Sequence, residues 1–137
     1  MKSLKIVYKM FLLLILGHTS GCTQSTAKLS PQEVYQMQQE GKEVIIIDVR
    51  TPEEFTGELG HIPGSILSPL QQIEEWESEF SQDKNKQIIM VCRSGNRSGV
   101  STQYFLDRGY KNVFNMSGGM RAWNQSRLPI ETEINEP

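Results

Sequence analysis

At 137 residues, with 37% apolar side chains, the chain has room for one compact domain and a single core. Its formal charge is −2, from 14 basic and 16 acidic side chains, a balance that makes it a poor candidate for nucleic acid, whose phosphates demand a basic face. No Walker-type phosphate loop is present, and with His18 and Cys22 set aside in the N-terminal segment read below as a signal, His61 and Cys92 are too few ligands for a metal site, so neither cofactor nor metal is expected.

The N-terminus does not belong to the core. Lys2, Lys5 and Lys9 form a basic segment, and Met10-Phe11-Leu12-Leu13-Leu14-Ile15-Leu16 follows as an apolar stretch too short to span a bilayer comfortably. The small residues Thr19-Ser20-Gly21 then precede Cys22, which gives residues 1–21 the form of a secretory signal. Small residues ending at a cysteine resemble a bacterial lipobox, with Thr19 where that family usually has leucine. The resemblance implies acylation of Cys22, export to the periplasmic or cell-surface side, and attachment to a membrane. The alternative is an ordinary signal cut near Gly21, leaving Cys22 a free thiol. Either cut removes three lysines and no acid, so the mature chain is more acidic still. With Cys22 acylated, Cys92 is the remaining thiol, and no intramolecular disulfide is possible.

Residues 22–29 are polar and small, as suits a tether, and the domain is expected over 30–130. Ser30-Pro31-Gln32-Glu33 is a capping-box pattern opening a helix that carries Val34 and Met37 and stops at Gly41. Val44-Ile45-Ile46-Ile47 is a β-branched run typical of a strand buried on both faces, and it ends in Asp48-Val49-Arg50. Thr51-Pro52-Glu53-Glu54 repeats the capping pattern. Residues 57–68 read as loop, with a short strand at Ser65-Ile66-Leu67. From Pro69 a helix would place Leu70, Ile73, Trp76 and Phe80 near one face. Ile88-Ile89-Met90-Val91 is a second buried strand, and residues 99–108 read as a helix ended by Gly109. Val113-Phe114 is a short strand, and Ser117-Gly118-Gly119 turns into a helical segment from Met120 to Asn124. Leu128-Pro129-Ile130 and an acidic tail, 131–137, close the chain. Alternating strands and helices predict an α/β domain with a mostly parallel central sheet flanked by helices.

Between the second buried strand and its helix lies Cys92-Arg93-Ser94-Gly95-Asn96-Arg97-Ser98. A cysteine at a strand end, before a helix start, meets converging backbone N–H groups and the positive end of the helix dipole. Two arginines depress its pKa further and attract anions. Asp48 and Cys92 both follow buried strands, and ligands of parallel sheets sit outside the carboxyl ends of strands, so the two should share one rim.

This loop resembles the active-site loop of rhodanese-domain sulfurtransferases. Asp48-Val49-Arg50, Glu54-Phe55, Gly60-His61-Ile62-Pro63-Gly64-Ser65 and Gly118-Gly119-Met120-Arg121-Ala122-Trp123 resemble the family's other signatures, in the family's order. The resemblance covers roughly residues 30–128 and implies a single rhodanese-like domain. It implies that Cys92 attacks the outer sulfur of an anionic donor such as thiosulfate, carries it as a persulfide, and passes it to a thiol or cyanide. The N–H groups of residues 93–98 would cradle the charged sulfur, with Arg93 and above all Arg97 binding the dianion, and Asp48 fixing the loop or touching substrate. Arg50 and Glu54 are expected to pair structurally, His61 to belong to a turn, and Trp76 and Trp123 to the core.

Two other readings of the loop remain open. A non-catalytic rhodanese-like binding module would commonly lose the cysteine. A cysteine-based phosphatase or arsenate reductase places five residues between cysteine and arginine, whereas four separate Cys92 from Arg97. A thiol–disulfide oxidoreductase is disfavoured, because no Cys-x-x-Cys pair exists.

Overall fold

The computed structural model describes residues 26–133. The signal at 1–21, Cys22 and the last four residues of the tail lie outside the described residues. Strand β1 (Lys28–Leu29) leads into α1 (Pro31–Gln39), β2 (Val44–Asp48), α2 (Pro52–Phe55) and β3 (Ile66–Leu67). After α3 (Ile73–Trp76) come β4 (Gln87–Val91), α4 (Asn96–Leu106), β5 (Asn112–Met116) and α5 (Gly119–Gln125). The five strands are ordered β1-β5-β4-β2-β3, and every pairing is parallel.

The β-branched runs do what their composition requires. Ile46, Ile89 and Val91 face α1 and α5, packing with Val34, Met116, Met120 and Trp123. Ile47, Ile88, Met90 and Cys92 face the opposite way, onto Trp76, Phe80 and Phe105. Alternation along each central strand thus serves two cores, one per face, and leaves no polar side to the sheet. β2 and β4 run in register, with Asp48 opposite Val91, so the chain emerges from both strands at one rim.

Both capping boxes form: Ser30 with Glu33 opens α1, and Thr51 with Glu54 opens α2. Three expectations need correction. Lys28–Leu29 is no tether but an edge strand on β5, because its amide and carbonyl groups complete the ladder beside Asn115 and Met116. The segment after Pro69 is not one helix. A 3-10 turn over Leu70–Gln72, the short α3 and a second 3-10 stretch over Glu77–Asp83 share it. Tighter 3-10 winding keeps Ile73, Trp76 and Phe80 on one buried face, and it is the burial that the sequence encodes. Helix α4 begins at Asn96, inside the loop, and brings its N-terminus up to the cysteine. Among the described residues no helix is long and apolar enough to cross a membrane.

Candidate active site

Cys92 follows β4 directly, and its side chain is 1% exposed. Burial opposes charge on such a thiol. The opposing donors are close: Gly95 N–H donates to Sγ at 3.0 Å, and Ser98 Oγ lies 3.2 Å from it. Burial raises the Cys92 pKa and the Ser98 hydroxyl, with the backbone N–H groups of Ser98, Ser94 and Gly95, lowers it; the lowering prevails. Gly95 makes this geometry possible, since as the residue preceding α4 it adopts a left-handed φ of 99° that a side chain would resist. No side chain caps α4, unlike α1 and α2. The N–H groups of Gly95 and of Ser98, in the first turn, act on the sulfur instead, so that a thiolate there would serve as the cap.

The second half of the chain locks this loop from behind. Met120 N–H and Arg121 N–H, at the start of α5, donate to the carbonyls of Cys92 and Arg93 at 2.8 and 3.0 Å. So close an approach needs a glycine. A Cβ on Gly119, whose φ is +57°, would collide with the Cys92 carbonyl and lie 2.7 Å from that of Arg93.

Several site residues are held by partners that their spacing in the sequence does not reveal. Arg97 does not present a free guanidinium: its Nη1 and Nη2 each donate at 2.7 Å to one oxygen of Glu54. That bidentate pair drives the Glu54 carboxyl down to about 2, the Arg97 hydrogen bonds outweighing the effect of burial. Asp48 is engaged in hydrogen bonds inside the domain. It is fully buried, and its two oxygens accept from Arg50 Nε, Nη2 and backbone N–H at 2.7 to 3.1 Å. Arg50, also fully buried, does not pair with the Glu54 carboxylate; its Nη1 and Nη2 donate to the backbone carbonyls of Glu54 and Gly60. The Asp48–Arg50 pair therefore pins the segment that carries Glu54, and Glu54 in turn holds Arg97. Arg93, Ser94 and Asn96 remain exposed at the rim. The Arg93 guanidinium has no hydrogen bond or ion pair among the described residues, so it is the uncommitted cation of the loop.

His61 is held away from any dyad, with Nδ1 3.0 Å from the Phe55 carbonyl oxygen and its ring stacked on Phe55. Asn115, which sequence reasoning passed over, is buried in β5 and bonds both Ser98 and the Gly95 carbonyl. Its only sequence signal is an amide set between the apolar Phe114 and Met116. Among the described residues no group of three acidic, histidine or cysteine side chains could hold a metal ion. The assembly can stabilise a sulfur anion, and it leaves one cation free to draw in another anion.

Residues 30–126 match the family described as the rhodanese-like domain. This chain belongs to that family. An Allochromatium vinosum protein named sulfurtransferase is 36% identical over 65% of this chain and 79% of its own length. Thiosulfate sulfurtransferase GlpE of Pseudomonas aeruginosa is 28% identical over 80% of this chain and 93% of its own. The uncharacterized protein slr1261 of Synechocystis is 34% identical over 84% of this chain, which spans only 62% of that relative. Among solved structures, a rhodanese-like domain protein from Staphylococcus aureus superposes with a TM-score of 0.67 at 33% identity, covering 77% of this chain and 99% of that one. A single rhodanese-like domain built on an all-parallel sheet is thus common to sequence, fold and family.

Proposed function

We propose that this rhodanese-like domain moves a sulfane sulfur from thiosulfate, or a similarly anionic donor, to a thiol or cyanide through a persulfide on Cys92. The observation that carries this reading is the buried Cys92 sulfur, which receives the Gly95 N–H at the uncapped N-terminus of α4. The thiolate attacks the outer sulfur of thiosulfate, a new Sγ–S bond forms, and the old S–S bond breaks with its electron pair leaving on sulfite. One negative charge stays on the outer sulfur, and no proton moves, so no general base is needed. The acceptor then attacks that outer sulfur and returns Cys92 as thiolate. N–H groups of the loop stabilise the charge in both steps. Arg93 draws in the dianion, because Glu54 already neutralises Arg97.

Export and lipid attachment at Cys22 complete the proposal. They rest on the N-terminal sequence alone and predict that Cys22→Ala abolishes fatty-acid labelling and membrane retention. The central test is intact-mass spectrometry with and without thiosulfate, beside Cys92→Ser. A gain of about 32 Da that needs Cys92 and is discharged by cyanide supports persulfide transfer. A folded protein with a free thiol that accepts sulfur from no sulfane donor would instead be a binding module. Appreciable hydrolysis of an aryl phosphate would favour a phosphatase.

A further inference from the structure

Ser98 has one hydroxyl proton and two neighbours placed to receive it. Its Oγ lies 2.6 Å from Asn115 Oδ1 and 3.2 Å from Cys92 Sγ. The orientation of the Asn115 amide is not free. Its other end reaches the Gly95 carbonyl oxygen at 2.9 Å, which can only accept, so that end is Nδ2 and Oδ1 must face Ser98. The backbone beneath it is fixed as well: Asn115 pairs with Lys28 of β1, and its N–H donates to the Ala27 carbonyl at 3.0 Å. Gly99 lets the amide sit close, since a Cβ there would lie 3.2 Å from Nδ2.

The outcome depends on the charge of Sγ. With a thiol, S–H donates to Ser98 Oγ and Oγ–H donates to Asn115 Oδ1, so every group is satisfied. With a thiolate, two arrangements remain. Either the Ser98 proton stays on Asn115 and an oxygen lone pair faces the anion, or it turns to sulfur. In the second, two oxygens stand 2.6 Å apart with no hydrogen between them. In a persulfide the charge has moved to the outer sulfur, Sγ no longer needs the proton, and the proton returns to Asn115.

We infer that Asn115 is a positioning residue that contests the single Ser98 proton, opposing charge on Cys92 Sγ in the empty site and thereby favouring the sulfur-loaded form. A thiolate held less stable is the stronger nucleophile, so at a pH where Cys92 is ionised the same contest sharpens the first step. The charged groups around Cys92 do not change with this proton. Arg97, from α4, senses the charges of Cys92 and Asp48 and is clamped by Glu54 of α2; Asp48 is paired with Arg50, and Arg93 lies on the solvent side of the loop.

The test compares wild type, Asn115→Val, Ser98→Ala and the double variant by the pH dependence of Cys92 alkylation with iodoacetamide. It needs no sulfur donor, so it reads the proton contest even if the sulfurtransferase reading, on which the loading claim rests, fails. Asn115→Val should move the alkylation midpoint to lower pH and speed alkylation below that midpoint by about threefold to tenfold, the effect of one hydrogen bond. In the Ser98→Ala background the same substitution should do nothing. For a protein that does load, Asn115→Val should also shift the balance between sulfite plus persulfide and free enzyme plus thiosulfate toward the free enzyme. An equal shift with and without Ser98 would overturn the inference, because it would reflect only the lost tie to Gly95. So would an unmoved or raised midpoint. Asn115→Ser stands in if the valine variant does not fold, and failure of both to fold would make Asn115 a structural support of β5 and overturn the inference too.

Discussion

Replacing Glu54 by glutamine tests how the loop is braced. In the native chain the carboxylate receives both terminal nitrogens of Arg97 at 2.7 Å, while Oε2 also accepts the Thr51 N–H at 3.2 Å. A glutamine amide would keep one acceptor and turn a donor toward the guanidinium. The carboxyl falls from 4.5 to about 2, chiefly through the Arg97 hydrogen bonds. At about 1.36 kcal/mol per tenfold change in acidity, that sets a ceiling of about 3 kcal/mol on the pair. Its side chains are 25% and 31% exposed, so water screens part of this, and about 1–2 kcal/mol is expected.

The pH dependence gives the sign. A depressed folded-state pKa stabilises fully above the unfolded value and is lost as pH falls through the folded one. Urea denaturation should therefore show Glu54→Gln less stable at pH 6, with the gap closing between pH 4.5 and about 2 as the native carboxyl protonates. A cycle with Arg97→Gln should return about the same energy as coupling. A gap that persists unchanged into acid, or no coupling at neutral pH, would refute the pairing as the source of the brace.

Gly119→Ala should lower stability by about 2–4 kcal/mol, combining overpacking against the Cys92 carbonyl with a left-handed backbone. Gly109→Ala shares the positive φ (+87°) but meets nothing within 4 Å, so a loss of only about 1 kcal/mol is expected there; equal thermal shifts would contradict the steric reasoning. Asp48→Ala should destabilise the domain by about 3–5 kcal/mol, because Arg50 would be left buried without its carboxylate; a melting temperature within a few degrees of wild type would show that Arg50 finds another partner. Arg93→Gln should raise KM for thiosulfate about threefold to tenfold at low ionic strength and little at high, with kcat nearly unchanged. The opposite pattern, a fall in kcat at constant KM, would place Arg93 on the reacting atoms instead.

What the sequence made legible follows from the range over which each signal acts. Strands β2 and β4 declare themselves because burial on both faces demands unbroken apolar runs, and the capping boxes of α1 and α2 are complete within four residues. The rim shared by Asp48 and Cys92 follows from parallel strands alone. The pairing of cations is different in kind. Arg97 lies 43 residues from Glu54, and Arg50 lies between Asp48 and Glu54 along the chain with either acid in reach. Spacing cannot choose among these partners. The choice is made by burial: Asp48, at the end of an interior strand, must have a buried cation, and Arg50 is the arginine its own backbone turn delivers. Glu54 is left at the partly open edge, where Arg97 reaches it from the first turn of α4. That assignment moves the free positive charge from Arg97 to Arg93, and with it the place where an anionic donor would first be held.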